Sequence, residues 1–151
     1  MDEELQRKIA EEIDNLERLN REMRQLVSTM EESPRFIEIR AAASILHDFY
    51  GAVEKIFERV ALAVDRDLPK GEDWHVQLLS KMASPQKGIR GKVISKELME
   101  ELKEYLRFRH LFRHIYGFEL KWERFSVLCF SMDAIFNRFK EELNRFTGGI
   151  K

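Results

Sequence analysis

At 151 residues the chain is long enough to bury a full hydrophobic core and short enough to form one domain. Apolar residues make up 44% and charged residues 35%, with only seven Gly and three Pro. This excludes a disordered chain and leaves too few turn formers for an all-β fold. The net charge of −1 advertises neither nucleic acid nor a membrane surface.

There is one cysteine, Cys129, in the apolar stretch FSVLCFSM. One thiol makes neither a disulfide framework nor a thiolate metal site, so Cys129 reads as a small buried hydrophobe. The opening MDEELQRK is too acidic for a signal peptide, and the longest uncharged run is eight residues, far short of a membrane span. The expectation is a reduced, cytoplasmic protein with no membrane partner.

Taken in chain order, five helices are predicted. Leu5, Ile9, Ile13, Leu16, Leu19, Met23, Leu26 and Met30 recur every three or four residues, which is a helical stripe ending near Ser33-Pro34. Ser33 as N-cap and Pro34 at the first helical position would start the second helix, which runs to about Asp65. DLPKGED is a loop, and Asp73 can cap a short third helix, WHVQLLSKM, that stops at Ser84-Pro85. SPQKGIRGKVIS is a second loop, with three bases and no acid. Ser95 can cap the fourth helix, which runs to about Tyr116 and breaks at Gly117. The fifth covers roughly residues 119 to 146, and TGGIK is a tail. No internal repeat or low-complexity segment interrupts them. Two long antiparallel pairs and a short inserted helix give an all-α, up-and-down four-helix bundle, a single domain over 1–151.

The charge is unevenly spread. Residues 1–32 carry ten acids and five bases, whereas residues 87–124 carry ten bases and six acids. The densest stretch is RFRHLFRHIYGFEL, Arg107 to Leu120. On a helix turning about 100° per residue, with Arg107 at zero, Phe108, Leu111, Phe112 and Ile115 span about 40° to 140° and form the core side. Arg109, Arg113 and Tyr116 fall at about 180° to 240°, and Arg107, His110 and His114 at about 300° to 360°. Residues 105–118 include no Asp or Glu, so this face lacks a carboxylate of its own. A guanidinium binds phosphate through paired hydrogen bonds, and an imidazole takes and returns protons near neutrality. Together they suit phosphodiester cleavage by a ribose 2′-hydroxyl, with no metal and no cofactor needed.

An arginine followed at short spacing by a histidine is a weak signal alone. Arg40 with His47 fits it as well as Arg107 with His114. A tyrosine two residues after the histidine makes it selective. RHLFRHIY, Arg109 to Tyr116, resembles the Arg, polar residue, three residues, His, any residue, Tyr signature of HepT-like ribonuclease toxins in the HEPN superfamily. SILHDFYGAVEKIFERVA, EDWHVQLLSKM and IYGFEL are also similar to theirs, so the resemblance covers about residues 35 to 145. It implies a HEPN-like helical homodimer whose two motifs meet in a shared cleft that cleaves RNA without a metal. Arg109 would then hold the scissile phosphate, with Arg107 as second choice, and His114 would be the general acid/base. His110 fills the polar slot, where these toxins most often carry Asn. Tyr116 matches the tyrosine that a partner, a minimal nucleotidyltransferase antitoxin, modifies with AMP in related systems.

Around this motif, Arg113 adds to the positive field, and Lys87, Arg90 and Lys92 of the cationic loop can follow an RNA backbone or be merely solvated. His47, Asp48, Tyr50 and Glu54 read as a core polar network or dimer contact, and Trp74 with His75 as the anchor of the short helix. His110 and His114 have a metal-like spacing, but three arginines on that helix repel a cation. Two further readings stay open: a bundle of this kind that binds a nucleotidyltransferase or nucleic acid without cutting it, and a purely structural adaptor.

Overall fold

The computed structural model describes residues 2–148, and among them there is no β-strand, only helices and their connections. Helix α1 spans Glu3–Thr29, with Asp2 accepting the Glu4 N–H at its N-terminus. Helix α2 spans Phe36–Val60 and runs on through a π turn, Ala61–Asp65. Helix α3 is Trp74–Met82, α4 is Lys96–Phe112 and α5 is Trp122–Thr147. No helix among the described residues is long and apolar enough to cross a membrane.

The four long helices form a closed ring, α1 beside α2, α2 beside α4, α4 beside α5 and α5 beside α1, and α3 lies across α2 and α4. Cross-links give the directions. Lys140 of α5 binds Glu17 of α1, while Asp133, about two turns earlier, binds Asn20. Tyr105 of α4 donates to the Leu128 carbonyl, while Ser95 at the other end of α4 donates to Glu142. Both pairs are therefore antiparallel, as up-and-down topology requires.

The stripe of α1 is buried where the period places it, at Leu5, Ile9, Leu16 and Met23. Helix α2 is the central element, buried at Phe49, Tyr50, Val53, Ile56 and Phe57. Phe57 meets Phe139 of α5 edge-on at 5.8 Å, and Phe49 meets Tyr105 of α4 at 5.3 Å. The core is one continuous cluster linking all five helices.

Three boundaries differ from expectation. Helix α2 starts two residues beyond Pro34, because Glu38 in its first turn accepts the Arg35 N–H at 2.8 Å and makes Arg35 the cap, not Ser33. Helix α5 starts at Trp122, after a 3₁₀ turn over Gly117–Glu119. Helix α4 ends at Phe112 rather than Tyr116. There the His114 N–H turns back to the Leu111 carbonyl at 2.9 Å, and Glu119 accepts the Tyr116 N–H at 2.8 Å. Tightening to a three-residue hydrogen bond is the common way a last turn closes. Ser95 does cap α4, accepting the Leu98 N–H at 3.1 Å.

Candidate functional site

The face of α4 that looks toward α3 forms one wall of a cleft of about 570 Å³. Lys103, Arg107, Arg109, His110 and Arg113 line it from α4, and Glu72, Asp73 and His75 from the start of α3. The five basic residues spread over the polar half of the helix and its last turn, about 160° by the ideal wheel, so their long side chains and not the backbone alone bring them to one cleft. Arg107 and Arg109, which the wheel sets on different edges of the polar face, both reach this cleft.

The positive charge is not left uncompensated, contrary to the expectation drawn from residues 105–118. Glu104, one residue outside that window, pairs with Arg107 at 2.6 Å. Glu54 of α2 places one oxygen 3.6 Å from Arg109. Its other oxygen meets His75 Nδ1 at 2.7 Å. Glu54 is buried, and the Trp74 ring lies against that of His75 with centroids 3.7 Å apart. The expected core network of α2 and the expected anchor of α3 are thus parts of one assembly that includes Arg109. Spacing along the chain gave no sign of this, because α2, α3 and α4 meet only in the fold. Around the assembly, burial pushes the Tyr50 phenol far above its ordinary range. Burial, followed by the charge of Glu54, pushes the Glu58 carboxyl up.

His114 lies past the end of α4, exposed, and is not among the residues lining the cleft. Its ring packs on His110 with centroids 4.4 Å apart, so it stands at the lip. Its Nδ1 is 2.7 Å from the His110 carbonyl oxygen. A carbonyl only accepts, so Nδ1 carries a proton, and in the neutral form of the ring the free lone pair is on Nε2. The early end of α4 removes the rigid separation of Arg109 and His114 that an ideal helix imposes, but one chain does not bring the two into a single pocket.

Tyr116 is 71% exposed and stacks on Phe118 with centroids 5.2 Å apart and planes 7° from parallel. Arg40 of α2 reaches this turn: a Cβ built on Gly117 would fall 2.5 Å from its Cζ. The same guanidinium stands 5.0 Å from the Phe36 ring centroid. Arg40 is therefore a cation against Gly117, the residue after Tyr116, a placement that its incidental spacing to His47 did not reveal.

The cationic loop separates into two kinds of residue. Lys87 and Lys92 are exposed. Arg90 is drawn inward, with Nε 2.6 Å and Nη2 2.8 Å from the two oxygens of Asp65, and Nη1 donating to the Ser84 and Gly91 carbonyls. This guanidinium is fully used inside the fold, which corrects its assignment to an RNA-contacting set. The loop adjoins the start of α4 and the motif its end, about 25 Å away along the helix.

Among the described residues no group of three His, Cys, Asp or Glu side chains is arranged to hold a metal ion. Chemically, the cleft can bind a phosphate or carboxylate through its guanidiniums, with an available imidazole base at its lip.

No curated protein and no solved structure gives a significant match to the chain. One protein-family model, described as HepT-like protein, matches residues 41–150, which include α4, the cleft and the RHLFRHIY motif. The match spans well over half of the sequence, and the chain belongs to the HepT-like family.

Proposed function

We propose that this chain is an endoribonuclease acting without a metal, the toxin of a module whose other member is a minimal nucleotidyltransferase. The observation that carries this reading is the cleft, where Arg107, Arg109 and Arg113 converge beside a histidine pair whose outer member has a free Nε2. The HepT-like family is associated with this class of activity.

In the proposed reaction Arg109, supported by Arg107 and Arg113, holds the scissile phosphate. His114 Nε2 takes the proton of the ribose 2′-hydroxyl as that oxygen attacks phosphorus. The bond from phosphorus to the 5′-oxygen breaks, and the imidazolium returns the proton to the departing oxygen. His110 donates a hydrogen bond to a phosphate oxygen. The products are a 2′,3′-cyclic phosphate and a 5′-hydroxyl. Charge accumulates on the phosphoryl oxygens during the displacement, which is where fixed guanidiniums contribute most.

His114 stands outside the cleft of its own chain, and this supports a homodimer in which the motif of a second copy completes the site. Tyr116, exposed in the turn that Arg40 reaches at Gly117, is the proposed acceptor of an AMP group from the partner enzyme. Such an adduct adds negative charge and bulk at the lip and so repels RNA. Lys87 and Lys92 are available for backbone contacts farther along a bound strand. The proposed compartment is the cytoplasm.

The test is incubation of the purified, partner-free protein with a mixed RNA pool and a chelator, beside His114→Ala, with the tyrosine confirmed unmodified by mass. Cyclic-phosphate ends that disappear in the variant support the reading. Intact RNA with the unmodified protein favours the alternative, a bundle that binds a nucleotidyltransferase or nucleic acid without cutting it, for which the separation of Arg109 from His114 already speaks.

A further inference from the structure

Arg109 is held in an unusual electrostatic position. Its side chain is only 19% exposed, and its Nε is buried with no hydrogen-bond partner among the described residues. The nearest carboxylate oxygen, from Glu54, stands 3.6 Å from Nη1, beyond hydrogen-bond reach. The hydroxyl of Tyr50, in the field of both groups, is also buried and unpartnered. A mostly buried guanidinium and a buried carboxylate at this separation are strongly attracted. The favoured geometry for such a pair is two parallel short hydrogen bonds, and Arg109 and Glu54 do not form it.

The reason lies on the other side of Glu54. Its Oε2 is taken by His75 Nδ1 at 2.7 Å, and the His75 ring is fixed from behind by Trp74. The carboxylate is anchored toward α3 and cannot turn both oxygens to α4. An arginine locked in a two-bond pair with Glu54 would have its fork occupied, whereas the observed arrangement leaves that fork able to receive another anion.

We infer that His75 is a positioning residue for Arg109: by holding Glu54 toward α3 it keeps this carboxylate from closing on the guanidinium, and so preserves the phosphate-binding capacity of the cleft. This rests on the reading above in one respect only, that Arg109 receives a phosphate group. Histidine is suited to the task because its ring is rigid, donates at one nitrogen and stacks on an aromatic neighbour.

Inorganic phosphate titrated against the full chain tests this, with the Arg109 Nε–H resonance as readout and thermal melts verifying that each variant is folded. The parent should bind phosphate at Arg109. His75→Ala should weaken binding by about fivefold or more, because Glu54 closes on Arg109. His75→Asn, which keeps a donor near the Nδ1 position, should stay within about twofold. His75→Ala combined with Glu54→Gln should regain most of the lost affinity, because the competing charge is gone. A merely structural role for His75 would not be rescued by removing a second partner. The inference is overturned if phosphate does not shift the Arg109 signal in the parent, if His75→Ala binds as the parent does, or if the double variant stays as weak as the single. RNA cleavage followed in parallel separates the two claims. A parent that binds phosphate with this pattern but leaves RNA intact sinks the nuclease reading and keeps the role of His75.

Discussion

Arg90 and Lys87 lie three residues apart in one cationic loop and should respond oppositely to mutation. The Arg90 side chain is 3% exposed and that of Asp65 is 1% exposed, so Arg90→Ala leaves a buried carboxylate whose remaining cation is Lys81, 3.7 Å away. Removing one partner of such a pair costs about 3–5 kcal/mol, readable as a lower urea midpoint. Lys87→Ala and Lys92→Ala should change the unfolding free energy by no more than about 0.5 kcal/mol and leave that midpoint nearly in place. The sequence presents three similar cations, because nothing in a loop records which of them meets an acid 25 residues upstream. His114 shows the complementary case. It is exposed, held only by one bond to the His110 carbonyl and a ring contact with the exposed His110, so His114→Ala should leave the melting temperature almost unchanged. The same substitution should lower RNA cleavage by about 10²- to 10⁴-fold, the ordinary contribution of a general base, measured as initial rates on a labelled RNA. Unchanged cleavage in the variant would remove His114 from the mechanism. Cys129 was legible from its neighbours alone: burial pushes its thiol up to about 12, so it stays protonated at neutral pH.

Two of the helix starts were readable in local sequence chemistry, those of α3 and α4, whereas the starts of α2 and α5 and the end of α4 were not. Ser95 caps α4 with its side chain, as expected; α3 does start just after Asp73, but the Asp73 carboxylate takes the Gln77 side chain and makes no capping bond to the helix backbone. The end of α4 was not readable, because RHIY contains no breaker. The chain there is held by the His114 N–H on the Leu111 carbonyl and by Glu119 reaching back to the Tyr116 N–H. Helix α2 carries a test of how the cleft's neighbourhood is balanced. Glu58 follows Glu54 by one turn, and its carboxyl is pushed up first by burial and then by the charge of Glu54. A carboxyl whose folded value is raised contributes stability that is complete below its ordinary value and lost as pH rises through the raised one. At neutral pH an ionised Glu58 is therefore a net penalty. Glu58→Gln should raise the melting temperature by about 1–2 °C at pH 7, the scale of one like-charge pair on a helix. The gain should vanish near pH 4, where the parent's carboxyl is already neutral, and melts at the two pH values check both the sign and the window.

At the scale of the molecule, periodicity and turn placement were sufficient for an all-helical bundle, since each amphipathic stripe has to find another. How many chains make one site is a different matter, because a stripe buried between copies looks like any exposed apolar face. Leu111, Tyr116 and Phe118 are each about half or more exposed at or just beyond the end of α4, an apolar margin at that end of the helix. His114 sits on that margin, while Arg109 points back between α2 and α3. If the working site takes Arg109 from one copy and His114 from the other, two inactive variants can repair each other. Arg109→Gln and His114→Ala should each be inactive alone. Co-expressed, half of the randomly formed dimers are mixed, and each mixed dimer holds one site with both groups and one with neither. Activity should return to about a quarter of the parent's. A site contained within single chains predicts no recovery, because every chain then lacks one group. Light scattering on the same sample verifies that dimers are present, so an inactive mixture speaks to where the two residues meet and not to whether the copies associate.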